Sequence, residues 1–170
     1  MRDVGGIYLA SNAIVTGDVV LELGVNLWFG TVIRGDLARI TLGARVNVQD
    51  NCVLHTDFDV SLTLEEGVVI GHSAVVHGTR IGAGSLIGMG ARVLSGVDLG
   101  AESIVAAGAV VPEGRVIPPR SLLMGIPAKR VREVSDEEIA RIQKINARYW
   151  ELAQLYAVNG IAWPYGKPTA

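Results

Sequence analysis

Aliphatic residues return every six positions through the second half of the chain: Ile81, Ile87, Val93, Leu99, Val105, Val111, Ile117 and Leu123. Four residues after the first seven come Ser85, Ala91, Val97, Ser103, Ala109, Arg115 and Ser121, which are mostly small. Gly82, Gly88 and Gly100 follow three of the aliphatics directly. Upstream the same period gives Leu42, Val48 and Leu54, then Leu64, Ile70 and Val76, and Leu23 and Phe29 form an earlier pair, each followed by Gly. A β-sandwich would explain alternation but not eight in-phase positions. The pattern predicts an all-β fold, a parallel β-helix of hexapeptides in which three repeats, about 18 residues, close one triangular coil. Repeats of this kind are associated with a left-handed helix, although the period alone does not set the hand.

Two breaks in the period locate irregularities. Leu54 to Leu64 is ten residues, so four extra, within Thr56-Asp57-Phe58-Asp59, bulge out as a loop. Val76 to Ile81 is five, one short, so the corner after His77 is tight. After Pro127 the period ends. Ser135 and Glu138 form a capping box, Ile139, Ile142, Tyr149, Leu152 and Tyr156 fall near one helical face, and Asn159-Gly160 closes the segment. The predicted division is a β-helix over 1–128, a helix over 135–159 lying along the prism or against a neighbouring subunit, and an extended tail over 160–170.

Composition adds exclusions. With 15 Lys+Arg against 17 Asp+Glu the chain has no basic field for nucleic acid. Its hydrophobic fraction is 49%, but charges recur throughout, so no membrane span is expected. The N-terminus lacks the apolar core of a secretory signal, and the single Cys52, at a small inward position, is expected to pack in the core of a cytoplasmic protein.

Candidate chemistry follows from threading the three histidines onto the coils. His55 follows the inward Leu54 and His77 follows the inward Val76, 22 residues apart, which is one coil plus the four-residue loop. They should stack on one corner of successive coils, about 5 Å apart, a comfortable spacing for two imidazoles on one ion. His72, five residues before His77, sits on a different face and reaches that ion only if a second copy supplies it. A trimer of parallel prisms would then carry three sites, each open at a fourth position. A lone outward histidine is ordinarily a surface residue; two on one corner and a third at an interface-compatible position point to a metal. Asp50 precedes His72 by 22 residues, so it lies one coil before it, where it could orient the imidazole or hold an arginine. Gln49 neighbours that corner and could hydrogen-bond a water. Arg34 and Asp36 could serve a subunit salt bridge, a role compatible with catalysis.

The hexapeptide coils, Arg34-Gly35-Asp36, Gln49-Asp50, the three histidines and the terminal helix together resemble the gamma-class carbonic anhydrase family over nearly the whole chain. The resemblance implies a left-handed β-helix homotrimer with zinc, or else iron or cobalt, at each interface. It implies that His55 and His77 come from one subunit and His72 from its neighbour. It also gives Arg34, Asp36 and Asp50 an interface network and Gln49 a water-orienting role. The implied reaction is attack of hydroxide on carbon dioxide to give bicarbonate. The chain departs from the family's best-studied type: Leu37 follows Arg34-Gly35-Asp36 where that type has a glutamate, the acidic loop is short, and no residue is matched to the family's active-site tyrosine. It resembles the shorter members of the family, some labelled ferripyochelin-binding, carnitine-operon or phenylacetate-pathway proteins. Two alternatives stand beside this expectation: an acyltransferase or thioesterase acting on acyl-CoA, since Met124-Gly125-Ile126-Pro127-Ala128-Lys129-Arg130-Val131 resembles the closing segment of hexapeptide transferases, and a non-enzymatic metal-containing scaffold trimer.

Overall fold

The computed structural model describes residues 1–159; the tail expected over 160–170 lies outside the described residues. Short strands wind into a parallel β-solenoid that ends in one helix, Asp136–Asn159. Three ladders of inward side chains fill it. Leu27, Val48, Ile70, Ile87, Val105 and Leu123 stack in register on one face. Ile33, Leu54, Val76, Val93 and Val111 stack on the second. Leu42, Leu64, Ile81, Leu99 and Ile117 stack on the third. All eight period-six aliphatics of the second half are buried, as are Ser85, Ala91, Val97, Ser103, Ala109 and Ser121 at the small positions. Cys52 is buried too, and burial pushes its thiol up to about 11. Arg115, on the last coil, is exposed.

Two features of the first coils differ from the sequence reading. Leu21 and Leu27, not Leu23 and Phe29, take the inward register, pairing with Leu42 and Val48. Leu23 is 70% exposed and sits in a turn with Gly24, whose φ is 81°. The glycine after Leu23 serves the left-handed turn, whereas the glycine after an inward aliphatic serves close backbone approach, and the two look alike in sequence. The second difference is an insertion in the strand Val32–Leu42, where Ile33 and Leu42, inward on adjacent faces, lie nine residues apart rather than six. The surplus carries Arg34, Gly35 and Asp36 around the corner. Both ends also gain antiparallel partners: Arg2–Val4 pairs with Ile7–Leu9, and Ala128–Glu133 folds back on Ser121–Gly125.

The outward faces differ in chemistry. The first carries Val69, Ile104 and Leu122 below the helix residues Ile139 and Ile142, and Tyr8 and Trp28 below Ala153. The third carries Thr41, Thr63, Arg80 and Asp98, with Arg80 paired to Asp98 at 2.6 Å and to Glu65 at 2.7 Å. The second face is apolar and is left uncovered by the described residues: Ile14, Val32, Val53 and Val75 stand in one outward ladder, broken by Arg92 and resumed by Val110. Ile14 is 55% and Val53 39% exposed.

Candidate metal centre

The bare second face lies between the two histidine positions. Arg34, His55 and His77 are in register on three successive coils at one edge of it, and His72 occupies the corner at the other. Stacking brings His55 Nδ1 to 3.0 Å from His77 Nε2. His55 Nε2 faces Asp36 Oδ1 at 2.9 Å, and Asp36 is in turn hydrogen-bonded by Arg34 of the same chain. Desolvation opposes ionisation of Asp36, but the hydrogen bonds from His55 and Arg34 outweigh it and hold the carboxyl below its ordinary range. Thus Arg34 and Asp36 act locally on His55. The insertion in the strand Val32–Leu42 is what carries Asp36 into reach.

His72 and Asp50 meet as the 22-residue spacing requires, with Nδ1 2.8 Å from Oδ2. Gln49 joins them: its Oε1 accepts the His72 backbone N–H at 3.3 Å. Gln49 is fixed by a buried chain of amides. Trp28 Nε1 donates to Asn26 Oδ1 at 3.0 Å, Asn47 Nδ2 donates to the same oxygen at 2.6 Å, and Gln49 Nε2 donates to Asn47 Oδ1 at 3.2 Å. An indole N–H can only donate, so every amide in the chain is oriented and Gln49 presents its carbonyl oxygen toward His72. Among the described residues, no group of three or more His, Cys, Asp or Glu side chains is placed to hold a metal ion. His55 and His77 come together; His72 does not join them.

Two contributors were not assigned to the site from sequence. Tyr149, from the helix, places its hydroxyl 3.2 Å from His72 Nε2. Burial, with a smaller contribution from the charge of Asp50, raises the Tyr149 phenol, so it stays a proton donor at neutral pH. Its place on the apolar helical face was legible; the coil it would meet was not. Ser95, one coil beyond His77, lies 2.8 Å from His77 Nδ1 and could have been found by adding 18 to the histidine number. A cavity of about 600 Å³ opens beside His72 between the helix and the first face, lined by Gln49, Leu86, Met89, Ile145 and Tyr149 among others.

The donor set suits a metal. If His55 Nε2–H donates to Asp36 and His77 Nδ1–H to Ser95, the two unprotonated nitrogens face each other 3.0 Å apart, with an Arg34 guanidinium nitrogen 3.4 Å from His55 Nδ1. Opposed lone pairs at that distance repel unless a cation or a proton lies between them. Two imidazole nitrogens on one tetrahedral zinc stand about 3.3 Å apart. His72, with Nδ1 on Asp50, likewise keeps Nε2 as an acceptor, here taken by the Tyr149 hydroxyl.

Comparison with known proteins adds to this geometry. Residues 78–113 match the family model described as bacterial transferase hexapeptide (six repeats). A carbonic anhydrase of Geobacillus kaustophilus is 42% identical over 149 residues, 88% of this chain and 82% of the relative. A probable carbonic anhydrase of Methanocaldococcus jannaschii is 49% identical over 146 residues, 86% of this chain and 92% of the relative. Among solved structures, a putative acetyltransferase of Bacillus cereus superposes with a TM-score of 0.88 at 38% identity, covering 92% of this chain and 91% of that one.

Proposed function

The chain belongs to the gamma carbonic anhydrase family, and from that premise we propose that it hydrates carbon dioxide reversibly to bicarbonate at a metal centre shared between subunits of a homotrimer. The observation that carries the reading is the set of three histidines, each with one ring nitrogen engaged by a carboxylate or hydroxyl, which keeps the other as an acceptor that a metal can take. His55 and His77 of one subunit with His72 of the next would hold zinc, with iron or cobalt as alternatives. The second face supports the assembly, because it is apolar, left open by the described residues and bounded by both histidine positions. Burying its valines against two further copies is worth about 25 cal/mol per Å² of apolar area removed from water.

When bound, the metal supplies the Lewis acidity that makes water a nucleophile near neutral pH. The chain's own residues do the rest. Asp36, Asp50 and Ser95 fix the ring orientations of His55, His72 and His77. Gln49 offers the second lone pair of its Oε1 to a hydroxyl proton, which orients the attacking oxygen. Tyr149 offers a neutral O–H, and the apolar side of the cavity receives carbon dioxide. Metal content after purification, with stopped-flow carbon dioxide hydration, tests the reading: His72→Ala and His77→Ala should each lose metal and activity. A correctly folded trimer that takes up neither zinc, iron nor cobalt would refute it.

The likeness to a putative acetyltransferase, together with a cavity far larger than carbon dioxide needs, keeps an acyl-CoA substrate as the second reading. Calorimetric titration with CoA and acetyl-CoA separates the two, since only the second reading expects heat.

A further inference from the structure

The four-residue insertion after His55 does more than bulge from the prism. Its Asp57 turns back beside His77, held by a tight turn in which the Val60 N–H donates to the Asp57 carbonyl at 3.2 Å. His77 Nδ1 lies 2.8 Å from Ser95 Oγ and 3.4 Å from Asp57 Oδ2, and Ser95 Oγ is hydrogen-bonded to that same carboxylate oxygen. A hydroxyl has one proton to give, and a carboxylate can only accept. The Ser95 proton therefore points to Asp57, and the Ser95 lone pair is left to receive a proton from His77. The direction of this chain fixes the tautomer: Nδ1 carries the hydrogen and Nε2 is bare. Nε2 is the nitrogen that faces His55 at 3.0 Å.

We propose that Asp57 and Ser95 are positioning residues that lock His77 in the tautomer and orientation needed to bind the metal, and that the insertion serves to deliver Asp57 to that place. The inference rests on the reading of His55 and His77 as ligands. It gives Asp57 a task distinct from that of a solvated loop acid. It also joins three levels of the solenoid: Asp57 leaves the coil of His55, caps the coil of His77, and is reached through Ser95 on the coil beyond.

The test is zinc affinity, measured on the metal-free protein by competition with a chromophoric chelator, beside nitrogen-15 NMR of the His77 ring without metal. Asp57→Ala should weaken zinc binding about 10- to 100-fold, the range typical for losing an outer-shell partner of a metal ligand. Ser95→Ala should cost less, because the carboxylate is already near enough to close on Nδ1 directly. The double variant should be no worse than Asp57→Ala, since both act through one hydrogen atom. In the wild type, NMR should show Nε2 bare; in Asp57→Ala it should show a mixture of tautomers, and Asp57→Glu should restore part of the preference. An unchanged melting temperature of the metal-free variants would separate positioning from simple loss of fold. Equal zinc affinity in wild type and Asp57→Ala overturns the proposal, as does an unchanged His77 spectrum. If the wild type binds no zinc at all, the metal reading falls, and the spectrum alone then decides whether Asp57 sets the tautomer.

Discussion

Gly82 follows the inward Ile81, and a Cβ built on it would come within 2.4 Å of the Ala101 backbone nitrogen one coil further on. A contact that close cannot be relieved by turning a side chain, because the Cβ is fixed by its own backbone and its neighbour is backbone. Gly82→Ala should therefore destabilise the protein by about 1–3 kcal/mol, as overpacking does elsewhere, read from the midpoint of urea unfolding. Gly90, in a turn with φ of 68° and open space where its Cβ would lie, fails for a different reason: its backbone region rather than its neighbours penalises a side chain. The contrast explains what could be read from residues alone. Inward aliphatics of the second half were legible because they recur without interruption. Leu23 and Phe29 misled because a turn glycine was taken for a close-approach glycine, and one residue type carries both meanings. Histidine stacking was legible because register in a parallel ladder is simple addition. The tautomers were not, because they depend on Asp36, Asp57 and Ser95, which arrive through an insertion, a loop and a neighbouring coil.

The C-terminal helix is fastened at its start by a capping box that the sequence announced: Ser135 N–H donates to Glu138 Oε2 at 3.0 Å and Glu138 N–H to Ser135 Oγ at 3.3 Å. Arg132 adds a bidentate pair to the same carboxylate at 2.8 and 2.9 Å. The Arg132 hydrogen bond, followed by that from the Ser135 backbone, holds Glu138 down to about 2 against an ordinary value of 4.5. Because the folded-state value is depressed, the stabilisation is complete above about pH 4.5 and is lost as the pH falls toward 2. Melting temperatures of wild type and Glu138→Gln should differ most near neutral pH and converge in acid. A gap that persists unchanged at low pH would show that the carboxylate charge is not what holds the helix start. The element matters beyond its own stability, since it carries Tyr149 to His72 and covers the first face. Its amphipathic spacing foretold a docked helix, whereas its partner face was set by the outward Val69, Ile104 and Leu122, residues that a search for inward positions passes over. The insertion within Val32–Leu42 is likewise not legible in the period, because no in-phase residue upstream marks where the repeat resumes.

At the scale of the whole molecule, each of the three faces has a different fate. One is covered by the helix, one is charged, and one carries valines that the described residues leave uncovered between the two histidine positions. A single chain holds His55 and His77 at one edge of that face and His72 at the other, so if the three are ligands, as proposed, a closed ring of copies is needed to bring them together. That arrangement makes a prediction no intrachain site shares. His72→Ala keeps the His55–His77 pair, and His77→Ala keeps His72, so each variant lacks what the other has. Either one alone should form trimers without complete sites. Refolded together in equal amounts, they should recover about a quarter of the wild-type metal content and activity, because random association pairs an intact His55–His77 edge with an intact His72 in one interface of four. Separately refolded variants mixed afterwards should recover nothing until subunits exchange. Failure of the co-refolded mixture to bind metal, with trimers confirmed by sedimentation, would mean that the three histidines do not converge across the interface. Recovery near one quarter would leave the five-residue gap between His72 and His77 with a single explanation: the two residues serve different ions, on opposite edges of the face by which the copies meet.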